Sequence, residues 1–140
     1  MSETTAAFFD DAAGGWGDLY FTEPSFKRRY ALITQLVDET VRQREPGLAL
    51  DLGCGSGVFS AYLVEAGWHV VAADGSSAML QAAESHCRSR LGARIDAIEF
   101  REIQIDDLNL ERESFDAVLC LSILEYIESD RAVLRSGCHA

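Results

Sequence analysis

A chain of 140 residues, 48% of them hydrophobic, is sized for one globular domain with its own core. Twelve basic and 23 acidic residues leave a net charge of −11, a poor match for nucleic acid or an anionic membrane surface, so neither is an expected partner. No apolar stretch approaches a membrane span, and Met1-Ser2-Glu3-Thr4 lacks the basic segment and apolar core of a secretory signal.

Residues 1–24 mix acids, glycines and aromatics (Phe8, Phe9, Trp16, Tyr20, Phe21) and read as an irregular or short-helical cap. Ser25 is placed to cap a helix running to about Arg44, with Phe26, Tyr30, Ile33, Val37 and Val41 on one face. Lys27-Arg28-Arg29, the only basic run, reads as a solvated face of that helix. Pro46-Gly47 ends it, so residues 1–46 form a cap and helix ahead of a domain over 47–140. A strand is predicted at 48–52. A helix follows from near Val58, with Phe59, Leu63 and Ala66 on its buried stripe and Gly67 at its end. Trp68 to Ala73 is nearly all apolar, as a strand covered on both faces should be. The next helix runs from about Ser76 to Arg90, with Met79, Ala82, Ala83, His86 and Cys87 at helical spacing. Around 97–105 the apolar residues alternate in two phases, Ile98 and Phe100 and then Ile103 and Ile105, which predicts a one-face or edge strand with a bulge. Residues 115–121 form a central strand and a short helix follows near Asp130 to Arg135. Strand, helix, strand, helix, strand, strand gives a doubly wound α/β sheet.

The chemistry is concentrated in Leu50-Asp51-Leu52-Gly53-Cys54-Gly55-Ser56-Gly57, followed by Asp74 21 residues after Gly53. A strand, a glycine loop, a helix and a second strand ending on an acid build a cofactor site at the carboxyl edge of a parallel sheet. The helix opening near Val58 directs unpaired N–H groups and its positive dipole end at an anion. Asp74 is spaced to accept both hydroxyls of a ribose. A dinucleotide fingerprint needs a third glycine where this chain has Val58, and Asp51 would repel a pyrophosphate. A ligand with an ammonium, a sulfonium and one carboxylate suits these charges better, which favours S-adenosylmethionine over NAD.

The loop resembles the first motif of class I S-adenosylmethionine-dependent methyltransferases. Asp74-Gly75-Ser76-Ser77-Ala78-Met79-Leu80 resembles their second, and Glu113-Ser114-Phe115-Asp116-Ala117-Val118-Leu119-Cys120 their fourth-strand motif. The resemblance implies a Rossmann-like methyltransferase sheet and methyl transfer from S-adenosylmethionine to a small-molecule acceptor. It implies Asp51 as partner of the methionine amino group through water, and Gly53, Cys54, Gly55 and Gly57 as the loop. Asp74 would hold the ribose, with Gly75 and Ser77 close to the adenosine and Ser76 a helix cap. Gln104, with Ile105 beside it, falls where the family often has an acid for the adenine amino group, and Asp106 is the alternative. Leu121 would flank the crevice between the first and fourth strands.

Leu121-Ser122-Ile123-Leu124-Glu125-Tyr126-Ile127 resembles the Leu-Glu-His segment of quinone O-methyltransferases, with Tyr126 in place of a candidate base. Tyrosine is a weak base near neutral pH, so no catalytic residue is assigned. Trp16 and Tyr20 are candidates for an aromatic lid or for packing within the cap. Cys54, Cys87, Cys120 and Cys138 lack C-x-x-C spacing and read as free thiols of a cytoplasmic protein, without a metal site. Of these, Cys54 is expected to be shielded from alkylation by bound cofactor more than Cys87. Family members continue their sheet beyond the fourth strand, whereas this chain ends at Arg135-Ser136-Gly137-Cys138-His139-Ala140. The resulting expectation is an incomplete domain that pairs through an open sheet edge with a second copy or a complementing chain. A non-catalytic binding module is the first alternative and an NAD-dependent oxidoreductase the second.

Overall fold

A computed structural model describes residues 21–40, 45–104 and 115–120. Four parallel strands form one sheet: β1 (Leu48–Leu52), β2 (His69–Asp74), β3 (Ile98–Glu102) and β4 (Ala117–Cys120), in the order β3-β2-β1-β4. The order reverses between β1 and β4, so a crevice opens beyond their carboxyl ends, where open α/β sheets take ligands. Registers are level at that edge, with Leu52 opposite both Ala73 and Cys120.

Helices α1 (Pro24–Thr40), α2 (Val58–Glu65) and α3 (Ser77–Leu91) contribute to the core over one face of this sheet. Side chains alternate along a strand, so Ala49 of β1, Val70 and Ala72 of β2 and Ile98 of β3 meet Val37, Ala61, Leu63, Val64, Ala83, Cys87 and Leu91 there. The opposite face gathers Leu50, Leu52, Val71, Ala73 and Phe115, which are equally buried. Burial on both sides accounts for the near-continuous apolar strands.

The helix limits follow from local chemistry. Pro24, not Ser25, opens α1: proline has no N–H to leave unpaired in the first turn, and the Glu23 carbonyl accepts from Lys27 N at 2.9 Å. The Ser25 hydroxyl donates instead to the Glu23 carboxylate at 3.3 Å. Phe26, Tyr30 and Ile33 pack against Val58 and Phe59, with the Tyr30 and Phe59 rings 5.7 Å apart. Val41 and Arg44 lie outside the described residues.

Helix α2 is buried more completely than a single stripe predicts, since Val58, Ser60, Ala61 and Val64 join Phe59 and Leu63. It ends in a Schellman turn: Gly67, at φ 98°, donates to the Val64 carbonyl and Trp68 N to that of Leu63. Ser76 caps α3 by accepting from Met79 N at 3.1 Å, while Arg88 and Arg90 suit the negative end of its dipole. His86 is half-buried and stacks on Phe21, as a partly packed side chain should.

The bulge predicted around 97–105 is absent from the described ladder. β3 pairs with β2 in unbroken register from Ile98 to Glu102. Ile98 and Phe100 face the helices, and Ile103 joins the core on the other side. Ile98 and Ile103 therefore lie on opposite faces of the sheet, and Ile105 lies outside the described residues. β4, predicted as central, is the outer strand among the described residues, so the edge on which pairing with a second chain is expected begins at Ala117–Cys120; residues 121–140, with the predicted helix near Asp130, lie outside the described residues.

Gly57 joins the glycine loop to α2 at φ 80°, and a Cβ there would lie 3.0 Å from both Ala83 Cβ and Cys87 Sγ. Gly57→Ala is expected to destabilise the fold by about 2 kcal/mol, because positive φ is strained for alanine and α2 must move off α3. Thermal unfolding checks this, and an unchanged melting temperature would show that the α2–α3 contact yields freely.

Candidate functional site

Two acids stand at the carboxyl ends of the two adjacent central strands. Asp51 is the fourth residue of β1, and the pleat turns its side chain toward the helices, as it does that of Ala49. It is only 2% exposed. Ser60, in the first turn of α2, donates its hydroxyl to Asp51 Oδ2 at 2.6 Å. Burial pushes the carboxyl up to about 6 against the lowering effect of Ser60, and the neighbouring charge of Asp74 adds to the rise.

Asp74 ends β2, and its carboxylate is tied down on both oxygens. Gly55 N donates to Oδ2 and Ser76 N to Oδ1, each at 2.9 Å. One side chain thus fixes the glycine loop and the entry to α3. The loop itself needs glycine, with Gly53, Gly55 and Gly57 at φ 73°, 56° and 80°. Gly53 N and Cys54 N both donate to the Ala73 carbonyl, so the chain leaves β1 while still bonded to β2.

The third wall comes from β3. Ile103 N donates to the Asp74 carbonyl at 3.0 Å, which brings Gln104 alongside Gly75. Gln104 Nε2 donates to the Gly75 carbonyl at 3.0 Å, an orientation that leaves Oε1 as an acceptor. Asp51, Gly53, Cys54, Gly55, Gly57, Asp74, Gly75 and Gln104 are thereby gathered at one edge of the sheet. Ser77 is exposed on the first turn of α3. Ile105 and Leu121 lie outside the described residues, as do Trp16, Tyr20, Asp106 and Tyr126.

The labelling contrast expected of the thiols has no basis in their burial. Cys54 is 6% exposed and Cys87 is fully buried, both in one core cluster. Burial drives the Cys54 thiol well above its ordinary range and Cys87 up to about 12, so both are inert near neutral pH. Cys120 is the exposed one of the described three.

Two serines escaped the sequence reading. Ser60 is the one hydroxyl-bearing residue besides Tyr62 in Val58–Val64, a run otherwise apolar, and it is fully buried. A small polar residue on a buried helix face was the available signal. Ser56, within the loop, is 2% exposed, and its Oγ has no hydrogen-bond partner among the described residues.

Comparison with known proteins agrees with this geometry. The family model for a methyltransferase domain matches residues 50–138. The ubiquinone biosynthesis O-methyltransferase of Hahella chejuensis is 34% identical over 131 residues, covering 90% of this chain and 51% of that protein. The chain thus spans about half the length of this relative. The structure of DhpI in complex with SAH superposes with a TM-score of 0.61 at 25% identity, covering 83% of this chain and 50% of DhpI. Magnesium protoporphyrin IX methyltransferase from Synechocystis PCC 6803 shares the fold, with a TM-score of 0.70 at 24% identity over 92% of this chain and 65% of its own. Motif order, sheet order and the family match over 50–138 place this chain in the methyltransferase-domain family.

Proposed function

We propose that the chain binds S-adenosylmethionine at the carboxyl edge of β1, β2 and β3 and serves methyl transfer to a small-molecule acceptor. The observation that carries this reading is the pair of buried acids, Asp51 and Asp74, flanking a positive-φ glycine loop at the opening of α2. Two carboxylates beside a helix N-terminus suit a ligand with cationic groups and one carboxylate, and oppose a pyrophosphate.

The residues fit the cofactor in detail. Asp51 suits the methionine ammonium, met through water. Ser56 Oγ, buried beside the start of α2 without a partner among the described residues, suits the cofactor carboxylate. Asp74 suits the ribose hydroxyls, and the free Oε1 of Gln104 suits the adenine amino group as acceptor. Bound S-adenosylmethionine supplies a methyl group on an already activated sulfonium. The described residues then supply alignment and exclusion of water.

Relatives named as ubiquinone biosynthesis O-methyltransferases support an oxygen atom on a small molecule as acceptor. The free thiols Cys54, Cys87 and Cys120 suit a reducing compartment such as the cytoplasm. Among the described residues, no helix is long and apolar enough to cross a membrane.

Calorimetric titration with S-adenosylhomocysteine and, separately, NAD tests the cofactor. Binding of the first at one site per chain, with none of the second, is the expected result. Equal affinity for NAD overturns the assignment. Methyl transfer to a panel of hydroxylated small molecules then tests the activity, and binding without turnover would favour a non-catalytic module.

A further inference from the structure

We propose that Ser60 is the positioning residue for Asp51: from the first turn of α2 its hydroxyl fixes one carboxylate oxygen so that the other, Oδ1, faces the cofactor ammonium. The proposal rests on the cofactor reading above and extends it to a residue outside the loop and the strand ends.

The geometry is specific. Ser60 is fully buried, and its Oγ lies 2.6 Å from Asp51 Oδ2, within the short range of bonds to a charged acceptor. Ser60 is the one described side chain that donates to Asp51. A carboxylate rotating freely about its last torsion would present either oxygen, and this bond selects one. The helix that begins at the glycine loop therefore also aims the acid that precedes it.

The bond also decides the charge of Asp51. Burial opposes ionisation, and Ser60 opposes burial through its hydroxyl and its backbone N–H. Among the described residues, the titratable groups that interact with Asp51 are Asp74 from β2, Cys54 from the loop, Cys87 from α3 and Cys120 from β4. The three thiols are all shifted upward by burial and stay neutral near pH 7. Asp74 repels, so no described cation offsets the buried charge, and the serine is its main support. Without the hydroxyl, Asp51 takes up its proton at higher pH and the ammonium loses its partner.

The test is S-adenosylhomocysteine binding from about pH 5 to about pH 8.5 for wild type, Ser60→Ala and Ser60→Thr. Wild-type affinity should weaken as pH falls through about 6, where Asp51 protonates. In Ser60→Ala this limb should move up by about one pH unit, with affinity reduced about twofold at about pH 7, on the order of tenfold by about pH 5, and recovered at the alkaline end. Ser60→Thr, which keeps the hydroxyl, should restore the wild-type profile. A purely structural serine would leave the limb where it is, so an unmoved limb in a folded Ser60→Ala overturns the proposal. If that variant does not fold, Ser60→Gly, which likewise removes the hydroxyl, serves the same comparison, and an unmoved limb there is equally decisive. Failure of the wild type to bind at any pH would instead remove the cofactor reading itself.

Discussion

Asp74→Ala should weaken S-adenosylhomocysteine binding on the order of a hundredfold and lower the melting temperature of the free protein. The two effects have different origins. In the free protein the carboxylate accepts from Gly55 N and Ser76 N, and Ser76 is 1% exposed. Deleting the acceptor leaves the buried Ser76 N–H and the half-buried Gly55 N–H without that partner, at about 1–3 kcal/mol for a buried group that finds no other. In the proposed complex the same carboxylate also holds the ribose. Charge-assisted bonds of about 1.5–3 kcal/mol to two hydroxyls give the expected loss of affinity. A 2′-deoxy analogue of S-adenosylhomocysteine separates the contributions. Wild type should bind the analogue more weakly than the parent ligand, whereas Asp74→Ala should bind both alike. If the variant still discriminates between them, Asp74 shapes the loop without touching the ribose.

Much of this site is legible in the sequence because it is local. Glycines at alternating positions, an acid ahead of them and an acid ending the next strand all act within a few residues of the loop they build. The same holds for the Ser76 cap, whose partner Met79 is three residues away. What could not be read depends on how elements cross. The Ser60–Asp51 bond spans nine residues and exists only because α2 folds back over β1. The Gln104 bond to Gly75 spans 29 residues and needs β3 beside β2. Ile98 and Ile103 were read as one face with a fault, because alternation alone does not say whether a strand is covered on one side or both. Ser25 was preferred to Pro24 at the start of α1 because capping by a side chain leaves a clear sequence signal. A proline that only avoids a wasted donor does not.

Asp51→Asn should make the ligand-free protein more stable near pH 8 while weakening its grip on the cofactor. Burial holds the Asp51 carboxyl near 6, against 3.8 for an ordinary aspartate. Above about pH 6 the folded protein therefore carries a charge that the unfolded chain holds at lower free energy. The shift of roughly 2 units corresponds to roughly 3 kcal/mol of native-state cost. As pH falls from about 6 toward 3.8 the native carboxyl takes up its proton first, and the cost disappears. Asparagine removes the charge and keeps an oxygen to accept from Ser60, though its amide N–H groups need acceptors of their own and return about 1 kcal/mol of the gain. A net stabilisation of about 2 kcal/mol near pH 8, shrinking toward pH 4, is the expected result by thermal or denaturant unfolding. Equal effects at both pH values would mean that the buried charge is not the source of the cost. The affinity for S-adenosylhomocysteine should move the opposite way, because a neutral amide cannot pair with an ammonium as a carboxylate does. An acid that weakens the fold where it stands, and is held in place by a serine on the neighbouring helix, is best understood through the ligand it meets.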